Sequence, residues 1–142
     1  MRSENLDRPL HSSELARQAG VSTDTVRYYE RNRLLTAHRS VAGYRLFPPE
    51  ALIRVRMIRG ALDVGFSIKE LQSVFEVRDS GGTPCHQVRK LGAQKLSEIE
   101  ITIRELQSKH RQLKRTLVKW DALLSSAHGK PAGLLEVFAR KR

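Results

Sequence analysis

The residues with the plainest chemistry in this sequence are its arginines. Residues 1–60 hold eleven Arg and no Lys, against six acids. A guanidinium forks onto a phosphate or a guanine edge through two parallel N–H groups, which an ammonium cannot do. The bias suits phosphate and base-edge recognition; a GC-rich coding sequence that favours Arg codons is the bland alternative. Arg27, Tyr28, Tyr29, Arg31 and Arg33 fall within seven residues, Arg39 and Arg45 bracket Gly43-Tyr44, and Arg56 and Arg59 stand three apart. The second chemistry is a thiol. Cys85 is the single cysteine, so no intramolecular disulfide is possible, and Pro84 and His86 flank it. No nucleophile–base pair, phosphate loop or closed metal-ligand set is present, so an enzyme is not expected.

Length and charge bound what can position these groups. The 142 residues (16.2 kDa) suffice for one domain, or a small domain with an extension. Lys and Arg number 26 and Asp and Glu 15, a net charge of +11 and a pI near 10.5. Such a balance asks for a densely anionic partner, most simply nucleic acid. Aromatics at 6% argue against a single-strand binder built on stacking platforms. No stretch approaches the ~18 apolar residues of a membrane span. Met1–Asp7 carries acids and lacks an apolar core, unlike a signal peptide. A cytoplasmic protein, associated with the nucleoid through DNA and not with membrane, is expected.

Short helices carry the first half. Ser12-Ser13-Glu14 offers a cap and a first-turn acid, and a helix over 14–19 ends at Gly20. Ser22 caps a second helix, about Thr23–Arg33, with Val21 and Val26 as a hydrophobic staple. Two short helices joined through a glycine turn form a helix-turn-helix pattern. Thr36–Phe47 has no helical period and reads as a β-hairpin turning near Ser40–Gly43. A third helix opens at Pro48-Pro49-Glu50 and runs to about Val64, before Gly65. Ser67 and Glu70 form a capping box for a fourth, Ile68–Val77.

Ser80–Pro84 is a break and a candidate hinge. Beyond it Leu96, Ile99, Ile103, Leu106, His110, Leu113, Leu117, Trp120 and Leu124 alternate three and four apart, a heptad seam. A helix over 84–124 would be roughly 60 Å long at ~1.5 Å per residue. No second long helix exists in the chain to cover that seam, so a second copy is the simplest partner. His110 then reads as a register-setting polar residue on the seam, with a pH or ligand role as the alternative, and Trp120 as core at its end. Residues 125–133 read as a loop and Leu134–Phe138 as one or two helical turns. Arg140-Lys141-Arg142 reads as a frayed basic tail.

These residues, in this order, resemble the MerR family of bacterial transcription regulators from about His11 onward. The carrying segments are Glu14-Leu15-Ala16 with Gly20-Val21-Ser22, Thr25-Val26-Arg27-Tyr28-Tyr29-Glu30, Leu34-Leu35, Gly43-Tyr44-Arg45, and Gly65-Phe66-Ser67 with Glu70-Leu71. Two positions depart from the pattern. Arg33 stands where the family usually has Gly, so Asn32 is expected to take the left-handed turn. Thr36 stands where a proline commonly follows the Leu pair.

The resemblance implies a mainly α protein: a winged helix-turn-helix DNA-binding domain (1–80), a long antiparallel coiled-coil dimerisation helix with its hinge (81–124), and a C-terminal loop and short tail helix (125–142). It implies DNA contacts from Thr25, Arg27, Tyr28 and Tyr29 on the recognition helix, Arg45 in the wing and Arg59 beyond it. Tyr29 is equally a candidate core tyrosine, Tyr44 a brace for the hairpin and Arg56 a solvated charge. Leu96, Ile99, Ile103, Leu106, His110, Leu113, Leu117 and Trp120 would form the dimer interface. The implied partners are double-stranded promoter DNA, a second copy of the chain, and RNA polymerase. Family members bend and untwist a promoter whose two recognition elements are too far apart, in response to an effector.

Cys85 matches the cysteine at the start of the dimer helix in the metal-sensing branch. The loop cysteines of that branch are missing; Ser126 and Ala132 stand near their places. Soft metals prefer several thiolates. Cys85 with His128 of a second protomer, or with His86 or Asp121, suits a divalent ion such as Zn²⁺ or Co²⁺ better than Cu⁺. No cofactor is required for the fold, and the effector is open: a metal, a thiol-reactive signal at Cys85, or an organic molecule, with Cys85 in the last case a bystander at the start of the helix. The tail is too short to form a separate drug-binding domain. Two other classes remain, a basic architectural DNA-binding protein without effector response and a coiled-coil protein-interaction adaptor.

Overall fold

A computed structural model describes residues 7–140. The readings of Met1–Leu6 and of Lys141-Arg142 lie outside the described residues. The elements in chain order are β1 (Leu10–His11), α1 (Ser12–Ala19), α2 (Thr23–Arg31), β2 (His38–Arg39), β3 (Arg45–Phe47), α3 (Ala51–Asp63), α4 (Ile68–Asp79), α5 (Cys85–Ala127) and a 3-10 turn, Leu135–Ala139. The fold is mainly helical, as expected, with a small winged sheet.

The helix ends follow from local chemistry. Ser22 accepts the Thr25 amide at 3.0 Å, and the Ser67 hydroxyl and Glu70 carboxylate cap each other's backbone at 3.1 and 2.9 Å. α1 departs from expectation: Ser12 and Ser13 are already helical, and His11 is the cap, its backbone N–H facing the Glu14 carboxylate at 3.5 Å. Strand β1 fixes His11 in extended geometry, so the helix begins at Ser12, two residues earlier than expected.

α1 and α2 close with the same backbone motif but different residues. At α1, Gly20 takes φ 70° and the Val21 amide donates to the Ala16 carbonyl at 3.0 Å. At α2 the helix stops at Arg31, two residues earlier than expected. Asn32 is not the left-handed residue: its side chain donates to the Tyr28 carbonyl at 2.8 Å, and its φ is −89°. The positive φ, 59°, falls on Arg33, and the Leu34 amide returns to Tyr29 at 2.9 Å.

The wing is a three-stranded antiparallel sheet in the order β1-β3-β2. The hairpin is as expected, with the Gly43 amide closing on the Ser40 carbonyl at 2.9 Å. β1 was not expected, because a two-residue strand leaves no period in the sequence. Leu10 pairs with Phe47 and His11 with Leu46, which ties the wing to the start of α1.

Leu15, Val26, Leu34, Phe47, Val55 and Ile58 are fully buried where α1, α2, α3 and β3 meet. Arg54 bridges the elements around them. Its Nε donates to the Leu34 carbonyl at 2.6 Å, its two terminal nitrogens grip Asp79 at 2.6 and 2.9 Å, and it lies 4.1 Å over the Phe75 ring.

The chain separates into two compact units, which divide inside α5 between Lys95 and Leu96. The first turns of α5 join the N-terminal unit through Gln87–Ser73 at 2.9 Å and Lys95–Glu70 at 2.8 Å. In the second unit α5 is longer than expected and takes in Ser125–Ala127. Leu96, Ile99, Ile103, Leu106, Leu113, Leu117 and Leu124 are each about half exposed, and His110 is exposed. Trp120 is half-buried by its own tail: the indole N–H donates to the Leu134 carbonyl at 2.8 Å and the ring meets Phe138 edge-on at 5.8 Å. Among the described residues no helix is long and apolar enough to cross a membrane.

Candidate nucleic-acid interface

Between the recognition helix α2 and the wing lies a concave surface of about 600 Å³. Arg27 and Thr23 come from α2, Arg39, Tyr44 and Arg45 from the hairpin, and His11, Ser12 and Ser13 from the start of α1. Each is there for a local reason. Ser22 starts α2 so that Arg27 falls on its exposed face. The hairpin register sets Arg39 directly opposite Arg45. β1 brings the first turn of α1 to the same hollow. Three guanidiniums, two serine hydroxyls and a helix N-terminus then face one space, which is the chemistry of phosphate binding.

Like charges directly opposite on a sheet repel each other. The structure partly relieves this repulsion. Arg39 donates to the Gly43 carbonyl at 2.8 Å, and Arg45 pairs with Glu30 at 3.1 Å. The pair is partly buried. It aims Arg45 along the rim of the hollow. Tyr44 is exposed and meets His11 edge-on at 6.1 Å, which braces the hairpin against β1.

The sequence-expected residues divide. Arg27 and Arg45 share the hollow, and Tyr28 is exposed at 44% on α2 beside it, with Arg31 6.0 Å from its ring. Thr25 is half-buried, its hydroxyl 2.8 Å from that of Ser22, so it serves the helix start. Tyr29 is 4% exposed and belongs to the core, where burial raises its pKa. It is therefore a packing residue. Arg59 lies apart from the hollow. Its guanidinium binds the Gly20 carbonyl at 3.1 Å and the Ala19 carbonyl at 3.5 Å, closing the C-terminal end of α1. Arg56 reaches the Gln18 carbonyl at 3.5 Å on the same helix. Arg39, Thr23, Ser12, Ser13 and His11 were missed as site residues. The signal for Arg39 was available, since a turn at Ser40–Gly43 makes it the mirror partner of Arg45 across the hairpin. Nothing in the sequence foretold β1, and the α1 serines depend on it.

Cys85 is exposed at the first position of α5 and lines an apolar groove with Pro84, Val88 and Phe75. Among the described residues no three His, Cys, Asp or Glu side chains gather within reach of one ion. His86 is exposed, and His128 sits at φ 49° just past the end of α5. A single thiolate without a gathered donor set does not fit the several-thiolate requirement of a soft metal, so one chain by itself offers no complete metal site.

Comparison with known proteins follows the same division of the chain. Residues 10–77 match the model of MerR HTH family regulatory proteins, and residues 52–116 match that of the MerR DNA-binding region. The HTH-type transcriptional regulator ZntR of Escherichia coli K12 is 35% identical over 117 residues, 81% of each chain. The transcription regulator PbrR691 of Ralstonia metallidurans CH34, solved with lead(II), is 26% identical with a TM-score of 0.68, over 75% of this chain and 84% of that one. HiNmlR, a regulator lacking the sensor domain and solved on promoter DNA, shares the fold at 20% identity and TM-score 0.55, over 84% of this chain and 95% of that one.

Proposed function

This chain belongs to the MerR family of helix-turn-helix regulatory proteins, and from that premise we propose that it works as a homodimer that distorts promoter DNA for RNA polymerase. It is a sequence-specific, effector-responsive transcription regulator that binds DNA. Arg27 and Tyr28 enter the major groove, Arg39 and Arg45 hold the flanking backbone from the wing, and the first turn of α1 takes a phosphate on its N–H groups. Arg59 holds α1 in place and thereby aims that turn.

The observation that carries this reading is the cross-strand pair Arg39–Arg45 facing Arg27 over one hollow. Such a cluster suits a polyanion whose phosphates are regularly spaced. The half-exposed seam of α5 supplies the dimer, and the dimer fixes the spacing of two DNA-reading heads. An effector that changes this geometry would bend and untwist the site, repaid by contacts on both half-sites.

Selection from random-sequence duplexes tests the reading. The expected product is one enriched motif with two-fold symmetry and two half-sites at a fixed spacing. Retention of DNA without any enriched motif would support the architectural alternative instead, and no retention would leave the coiled-coil adaptor.

A further inference from the structure

We propose that the cleft between the last third of α5 and the tail binds a small amphipathic organic anion, a carboxylate with a short apolar body. The inference rests on the regulatory reading only in treating that ligand as the effector.

The cleft encloses about 680 Å³, a size suited to a small organic molecule. Its charged side is made by Arg115, Lys119 and Arg140, and no carboxylate lines it. Among the described residues none of these three cations is in an ion pair. Arg115 and Lys119 stand one helical turn apart, where like charges repel each other. A bound anion would turn that repulsion into attraction, and a metal cation would add to it. Gln112 and Ser126 add polar groups able to donate to a carboxylate oxygen. The remaining wall is apolar, with Leu123 on the helix and Val137 and Phe138 on the tail. Inorganic phosphate would use the cations and leave this wall wet; an apolar chain on the anion would cover it.

The cleft is held in shape by contacts behind it. The Trp120 indole bonds to Leu134 and packs against Phe138, which pins the tail to the helix. Thr116, at 7% exposure, is buried beneath the tail with its hydroxyl donating to the Gln112 carbonyl at 2.9 Å. The heptad seam does not cover the site. Leu113, Leu117, Trp120 and Leu124 each follow Gln112, Thr116, Lys119 and Leu123 by one residue, which turns the seam face about 100° away around the helix.

The test uses octanoate with the full-length protein, read by emission of Trp120, the only tryptophan, and by calorimetry on the same samples. The expected result is saturable binding of octanoate that 1-octanol and octylamine do not reproduce. The double variant Arg115→Gln, Lys119→Gln is expected to weaken it about tenfold or more, as loss of charge-assisted contacts does. Arg111→Gln, on α5 outside the cleft, is expected to leave it unchanged. Absence of saturable heat and emission change, equal binding of octanol, or full binding by the double variant would each overturn the inference. Retention of a selected DNA duplex in the same samples separates the two readings. DNA binding without octanoate binding removes the anion site alone, whereas loss of both removes the regulatory reading.

Discussion

Arg33 carries a left-handed backbone at φ 59° in the position where Gly would cost nothing. The strain of an L-residue there is of order 1–2 kcal/mol, offset in part by the smaller unfolded-state entropy of Arg. Arg33→Gly is therefore expected to raise the stability of the N-terminal unit by about 1 kcal/mol in urea unfolding; an unchanged or lower midpoint would show the turn to be unstrained. Two carboxylates set the acid limit. Lys95, then the Ser67 amide, hold Glu70 below its usual pKa, and Arg54 does the same for Asp79 against the opposing effect of burial. A carboxylate with a lowered folded-state pKa stabilises the fold above its unfolded pKa and loses that contribution as pH falls through the folded value. Unfolding midpoints should fall as the solution is acidified through that range, and the double variant Glu70→Gln, Asp79→Asn should show a flatter acid limb. At this scale the sequence was readable wherever the cause was local. Ser22, and Ser67 with Glu70, are caps defined within three residues. For Tyr29 the sequence left core and surface equally open, because the choice depends on how α1 and α3 close over α2, and neither Asn32 nor Arg33 reveals which will take the positive φ until the Asn32 amide is seen to bond back to Tyr28.

At the scale of elements, periodicity located nearly every helix and turn chemistry located the hairpin. The misses have physical reasons. β1 is two residues long and exists only because β3 offers an edge to it. Ser125–Ala127 read as loop by composition, yet they continue α5, since two serines followed by an alanine at the end of a long helix cost little against the propagation already established. The compact units divide inside α5 at Lys95, while the composition break lies at residues 80–84; the difference comes from two side-chain bonds, Gln87–Ser73 and Lys95–Glu70, that no pattern announces. The seam makes the sharpest prediction at this scale. Leu113→Glu places a charge in the middle of the exposed apolar stripe and should convert a dimer to a monomer in sedimentation, while leaving the urea midpoint of the N-terminal unit within about 0.5 kcal/mol of the parent. A dimer that survives Leu113→Glu would locate the contact between copies elsewhere.

For the molecule as a whole, charge and topology converge. The chain carries +11, and three arginines of its first half, Arg27, Arg39 and Arg45, line one hollow. That hollow was half legible. Of the residues singled out in the sequence, Arg27 and Arg45 line it; Arg39 and the start of α1 needed the sheet register, and Thr25, Tyr28, Tyr29 and Arg59 lie outside its lining. The tail was the least legible part. The lone Cys85 drew attention to metals, whereas the groups that gather near the tail are cations without partners among the described residues. The central claim is that the hollow is the DNA-reading surface, and the dependence of affinity on salt tests it most directly. Binding of a selected duplex and of its scrambled counterpart would be measured against salt for the parent, Arg27→Ala and Arg39→Ala. The account predicts that Arg39→Ala weakens both duplexes alike and lowers the salt slope by about one phosphate contact. It predicts that Arg27→Ala erodes the preference for the selected duplex by about 1–3 kcal/mol. Parent-like affinity, slope and preference in both variants would contradict it.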